Sequence, residues 1–348
     1  EEVVLVLSPR GRELERGFSL NSLIIFNPRQ IMAKPHNLTL QAPWIQRFMA
    51  WIHERFPLPN ALLFFILYLT TVAVVYDSST GDIFNLGRDV LGCLVTWSFF
   101  LLLRIFDEHK DYELDCQNHP QRVLQSGLIT LNHLKIVGAV IITLEVAYAL
   151  FLDQGLGMTL MAWAAMFIWT CLMGKEFFIA EWLTRHLTWY AVSHMLVMPL
   201  IVWWLANMAM PNAALTPALQ ALMSLAFISG FCFEITRKTK APDEERDSIE
   251  SYSRIFGTRG SAVVVMGLLT AMVLNQICLI NLLTPSFPVW SAIILAVFYA
   301  LGMTQLVKFT QLPSIKGREK NEAVVALTML AGYAVLIAVV VSSHSLSV

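Results

Sequence analysis

Apolar residues fill most of this chain in long runs rather than in alternation. Nine runs stand out, at 58–76, 88–106, 132–152, 155–173, 187–209, 214–233, 261–284, 287–307 and 322–342. Each comes near the roughly 20 residues that a helix needs to cross a bilayer. The pattern predicts an all-α, polytopic protein with nine transmembrane helices in a bundle. Little more than Asp153 and Gln154 divides the third run from the fourth. Ahead of the first run, Thr39 to Phe56 sets Trp44, Ile45, Phe48, Met49, Trp51 and Ile52 against Gln46, Arg47, His53, Glu54 and Arg55. That amphipathic division predicts a helix lying at the membrane interface. Residues 1–31 are polar and irregular, without the apolar core or cleavage site of a signal peptide, and Met32 is a candidate natural start. The chain therefore divides into an extension with its interfacial segment, 1–56, and a membrane domain, 57–348.

Composition supports the membrane assignment. Of 348 residues, 56% are hydrophobic and 14% charged, where a soluble domain carries about 25% charged residues. Charge placement then orients the runs. Every Lys and Arg except Arg88, Arg104 and Lys135 lies in the N-terminal segment or in the loops after the second, fourth, sixth and eighth runs. By the positive-inside rule those segments are cytoplasmic and the C-terminus lies outside. Five cysteines, Cys93, Cys116, Cys171, Cys232 and Cys278, show no paired spacing, so neither a disulfide framework nor a zinc site is expected.

Two acidic stretches follow the second and sixth runs, and both fall on the basic, cytoplasmic side. In the first, Glu108, Asp111 and Asp115 occupy one helix face at i, i+3 and i+7, with Asp107 at its edge. In the second, Asp243 and Asp247 are one turn apart. Like charges at such spacing repel, so a positive partner is expected among them, and hard oxygen ligands suit Mg²⁺. Lys110, Arg122, Lys175, Arg237, Lys238, Lys240, Arg246 and Arg254 lie close by in sequence. Carboxylates, a divalent cation and cationic side chains together describe a diphosphate site. Set at the mouth of an apolar bundle, that site suits a diphosphate with an apolar tail. Metal bound to the diphosphate would stabilise it as a leaving group and help ionise an allylic carbon–oxygen bond. Aromatic residues of the fourth and fifth runs, among them Trp163, Phe167 and Tyr190, are candidates to shelter the cation. The same features also admit plainer readings. The first acidic stretch could be a solvated helix face, Asp243 and Asp247 a complement to a helix dipole after Pro242, and the basic residues a membrane-facing charge run.

The residues from Arg104 to Asp115, continuing through His119-Pro120-Gln121-Arg122 and Ser126-Gly127, resemble the first signature of the UbiA superfamily of intramembrane prenyltransferases, Asn-Asp-x-x-Asp-x-x-x-Asp. Asp243-x-x-x-Asp247, followed by Ser251-Tyr252-Ser253 and Phe256-Gly257, resembles the second, and Lys175 resembles the family's phosphate-binding lysine. The resemblance covers the chain from about Pro57 onward. It implies a cytoplasmic cap formed by the loops after the second and sixth spans. It also implies a Mg²⁺-dependent transfer of a prenyl group from a prenyl diphosphate to a lipid-soluble acceptor. Asp111, Asp115, Asp243 and Asp247 would be the catalytic acids, holding metal together with Asp107 and Glu108, while Lys110, Arg122, Lys175 and Arg246 bind diphosphate. The chain departs from the signature where Asp107-Glu108 replaces Asn-Asp and Val123 replaces a proline, as expected of a divergent member.

Two ionisable groups lie inside runs. His194 is a candidate to contact or deprotonate the acceptor, and also a candidate packing histidine; Glu145 has no assigned role. A terpene cyclase acting on the diphosphate alone shares the ionisation step and stays open as an alternative. A divalent-cation transporter is less consistent, because transport sites lie near the midplane. Membrane lipids are the expected surroundings, in a bacterial plasma (inner) membrane, and no nucleic-acid partner is indicated.

Overall fold

The computed structural model describes residues 38–76, 83–245 and 251–345. Residues 1–37, and with them most of the N-terminal extension, lie outside the described part, as do Arg246 and Asp247. Every regular element among the described residues is helical. In chain order they are α1 (Trp44–Arg55), α2 (Ala61–Val75), α3 (Leu86–Lys110), α4 (Tyr112–Asn118), α5 (Leu131–Leu152), α6 (Met158–Gly174) and α7 (Ala180–Arg185). Then come α8 (Leu187–Met195), α9 (Val197–Ala209), α10 (Pro217–Arg237), α11 (Tyr252–Leu283), α12 (Val289–Gln311) and α13 (Ile315–Ser345).

Capping residues in the sequence set several of the starts. Asn85 accepts from the Arg88 N–H at the head of α3, and Thr216 accepts from Leu219 with Pro217 as the first residue of α10. Thr130 and His133 form a reciprocal box at the head of α5, and Ser251 accepts from the Arg254 N–H at the head of α11. Such oxygens satisfy amide hydrogens that a helix start otherwise leaves unpaired. Pro199 ends one ladder and opens the next, dividing the fifth expected run into α8 and α9. Asp153, expected only as a divider, takes the Thr159 and Leu160 amides at 3.3 and 3.0 Å and so turns the chain tightly from α5 into α6.

Eight helices among the described residues are long and apolar enough to cross a membrane. The fourth expected run is realised as α6, a shorter apolar helix of 17 residues. Sequential helices pack side by side, and α13 packs back on α2, so the bundle closes on itself. α9 touches α2, α3, α6 and α10. Its segment Leu187–Ala209 is 67% buried, against 28% for α5 and 22% for α12. α9 therefore forms the interior, and α5 and α12 turn most of their apolar surface outward.

A helix forms over Trp44–Arg55, as its amphipathic pattern predicts, but its burial does not follow that division. Trp51 and Ile52 are buried, Ile45 and Met49 are exposed, and Arg55, expected on the polar face, is 8% exposed.

Candidate active site at the ends of α3 and α10

The first acidic stretch straddles a break in the helix. α3 ends at Lys110 and α4 begins at Tyr112, with Asp111 at the junction (φ −95°, ψ 5°). Glu108 is wholly buried. Its Oε1 accepts from Arg55 Nε at 2.5 Å and from Arg104 Nε at 2.9 Å, with a further bond from Arg104 Nη2. Asp115 Oδ2 accepts from Arg55 Nη2 at 3.0 Å and Arg122 Nη1 at 2.7 Å. Glu54, beside Arg55, takes the Val123 N–H at 2.9 Å. Asp107 lies 3.9 Å from Arg104. Asp111, unlike Glu108 and Asp115, is bound by no arginine among the described residues; its buried Oδ1 has no hydrogen-bond partner, and neither has Glu108 Oε2. Burial, and next the Asp107 charge, push the Asp111 carboxyl up from 3.8 to about 7.

Lys110 reaches from α3 across to α8. It ion-pairs with Glu176 and donates to Tyr190 Oη at 2.9 Å, while Tyr190 donates to Glu176 Oε1 at 2.9 Å. From the end of α10, Lys238 binds the buried Glu234 at 2.9 Å and lies 5.7 Å from the Tyr190 ring centre; Lys110 lies 5.6 Å from it. Two ammonium groups from helices far apart in sequence thus converge on one tyrosine, Lys110 at its hydroxyl and Lys238 near its ring. Glu176 is set there by an uncommon backbone turn. Glu176, Phe177 and Phe178 have φ of 49, 53 and 59°, and a left-handed run of residues with side chains is costly and needs other contacts to hold it.

Behind these charges lies a cavity of about 40 Å³, with Asp107 and Lys110 on one side, His194 in its wall, and Phe106, Met173 and Ile201 among its apolar lining. His194 is buried, stacks on Tyr190 at 4.0 Å between ring centres, and its Nε2 lies 4.0 Å from Glu176 Oε2. A second cavity of about 30 Å³ is bounded by α2, α10 and α13 and shares Phe100 and Met198 with the first.

The expected site residues within the described part can now be placed. Asp107, Glu108, Lys110, Asp111, Asp115 and Arg122 come together, with Arg122 held on Asp115. Lys175 is exposed at the end of α6, and Asp243 is exposed in the turn Pro242–Glu244, next to Glu244, which pairs with Arg318 of α13 at 3.0 Å. Asp247 and Arg246 fall outside the described residues. Glu145 is a satisfied packing group, bonded to Ser98 at 3.0 Å and Trp163 at 2.9 Å. Sequence reasoning missed Arg55, Glu176 and the pairing of Lys238 with Tyr190. Arg55 looked like part of a solvated face, and Glu176 carries no local pattern.

The donor set suits a hard divalent cation, since a buried carboxylate oxygen without a partner is an uncompensated acceptor. Among the described residues no three His, Cys, Asp or Glu side chains form a ready ion site. Mg²⁺ is commonly held by one or two carboxylates and completed by water and phosphate oxygens.

The sequence pattern of the UbiA prenyltransferase family matches residues 66–331 of this chain. No curated protein matches it closely enough to count as a relative. Among solved structures, one described for its insights into digeranylgeranylglyceryl phosphate synthase in membranes is similar, at 17% identity and a TM-score of 0.62, over 85% of this chain and 99% of that one. At that identity the likeness concerns the fold.

Proposed function

Because the chain belongs to the UbiA prenyltransferase family, and is thus a multi-pass membrane enzyme, we propose that it moves the prenyl group of a prenyl diphosphate to a lipid-soluble acceptor within the membrane. The observation that carries this reading is the meeting of α3 and α10 at Tyr190, where Lys110 and Lys238 converge and Asp107 and Lys110 border an apolar cavity. Asp107 and Asp111, with Asp243 and Asp247 of the second motif, would hold the cation, and Glu108 and Asp115 complete the first motif. When bound, Mg²⁺ supplies charge neutralisation that makes diphosphate a leaving group. Lys110 and Lys238 receive the leaving oxygens as point charges, and Arg122, Lys175 and Arg246 extend the positive rim. The apolar lining, with Phe100 and Phe106 in it, excludes water from the allylic cation. His194, in the cavity wall, contacts the acceptor. In this reading α6 completes nine spans, and both acidic loops form a cap on the cytoplasmic side.

The test combines purified protein with Mg²⁺, a panel of prenyl diphosphates and a membrane lipid extract. Diphosphate release that requires both metal and extract is expected. No release under any combination would overturn the proposal, and release with a cyclic hydrocarbon and no acceptor would assign a cyclase instead.

A further inference from the structure

We infer that Arg55, on a helix that precedes the family match, is a positioning residue that fixes the hinge of the first acidic motif and so aims Asp107 and Asp111. The inference deepens the proposed function and rests on it. Asp111 closes α3 and opens α4, so its direction depends on the angle between those two helices. One guanidinium spans that break: Arg55 Nε binds Glu108 on α3 at 2.5 Å, and Nη2 binds Asp115 on α4 at 3.0 Å. A planar fork can grip two carboxylates at once, which a lysine ammonium cannot do with the same geometry. Arg104 and Arg122 complete the neutralisation of the same two acids. Glu108 and Asp115 are therefore occupied by cationic side chains that belong to the chain itself. Asp111 takes no arginine among the described residues; its buried Oδ1, like Glu108 Oε2, has no partner, and it is the acid of the three left for an external cation.

The motif is divided by role. Its two arginine-bound acids set the frame, and Asp107 and Asp111 present the oxygens. The family match starts at residue 66, whereas α1 ends at Arg55. The frame is thus completed by a segment outside the matched region.

Binding of Mn²⁺, as a stand-in for Mg²⁺, is followed by electron paramagnetic resonance with inorganic pyrophosphate present, alongside the thermal midpoint in detergent. Arg55→Met is expected to raise the half-saturating Mn²⁺ concentration about tenfold or more, as losses behind metal ligands typically do. Arg55→Lys should raise it less. Arg47→Met serves as the control: Arg47 ties α1 to the Leu128 carbonyl at 2.8 Å and touches no acid of the motif. It should lower the midpoint without moving the Mn²⁺ curve. Wild-type Mn²⁺ curves in folded Arg55→Met would overturn the inference. If that variant is lost on extraction, a wild-type curve in Arg55→Lys does so. A shift shared equally by Arg47→Met would reduce Arg55 to a docking contact and likewise overturn it. Failure of the proposed function looks different, as absence of diphosphate release from the wild type.

Discussion

Asp111 carries a charge that the fold resists. Its carboxyl titrates near 7 in the folded protein against an ordinary 3.8, with burial as the main cause. The unfolded chain gives up this proton first as pH rises, so Asp111 withdraws stability between about pH 4 and pH 7 and the loss is complete above that window. Asp111→Asn should therefore melt higher than wild type in metal-free detergent above neutral pH. The gap should close as pH falls toward 4, and the variant should show no turnover. Glu108 predicts the reverse. Removing one member of a buried ion pair typically costs about 3–5 kcal/mol, because the other charge is stranded. Glu108→Ala removes the acceptor that two buried guanidiniums share, leaving Arg55 only Asp115, and should lower the melting midpoint at every pH. Midpoints measured across pH for the two variants separate the roles, and a stabilised Glu108→Ala would contradict the assignment. The sequence placed both acids on one face by helical spacing. It could not distinguish them, because Arg55, more than fifty positions away, joins the neighbouring Arg104 on Glu108 and leaves Asp111 aside.

At the scale of elements, helix starts and spans were legible because each depends on neighbouring residues. Asn85, Thr130 and Thr216 cap within three residues of where apolar runs begin. The start of α11 was less legible, since an expected span from 261 becomes a helix from Tyr252 bent at Gly257. Gly257 has φ 71° and ψ 158°, a region nearly restricted to glycine, where other residues store about 1–3 kcal/mol of strain. Tyr252, just before the bend, donates to the Leu187 carbonyl at 3.1 Å and ties α11 to α8. Gly257→Val should lower the melting midpoint and loosen the segment between α10 and α11. Faster hydrogen exchange there than in wild type is the expected readout, and unchanged exchange would show that the bend does not depend on glycine.

For the whole molecule, the apolar interior and the membrane sidedness are the properties open to test. Phe100 and Met198 form the shared wall of the two cavities, and Phe100 stacks on Phe64 at 3.9 Å. Phe100→Ala should join the cavities and shift the preferred substrate toward a prenyl diphosphate one or two isoprene units longer, at a stability cost of about 3–5 kcal/mol. The ratio of kcat/KM for long and short substrates measures this, and an unchanged ratio would place the tail elsewhere. Single cysteines at Lys175 and Asn212, in a cysteine-free background, should react with impermeant reagent from opposite faces of the membrane. Labelling from one face would refute the nine-span reading.

The sequence by itself determined the helical class, the membrane setting, the family and the motif that carries the acids. Class and setting follow from run length and composition, which neighbouring residues fix through hydrophobicity and backbone geometry, and the family from the resemblance of its motif residues. Only the tertiary structure decided that Arg55 lies inside the acidic motif, that Lys110 and Lys238 meet at Tyr190, and that Glu108 and Asp111 differ in their partners. Those outcomes depend on which side chains meet when distant helices pack, and no local pattern encodes that meeting.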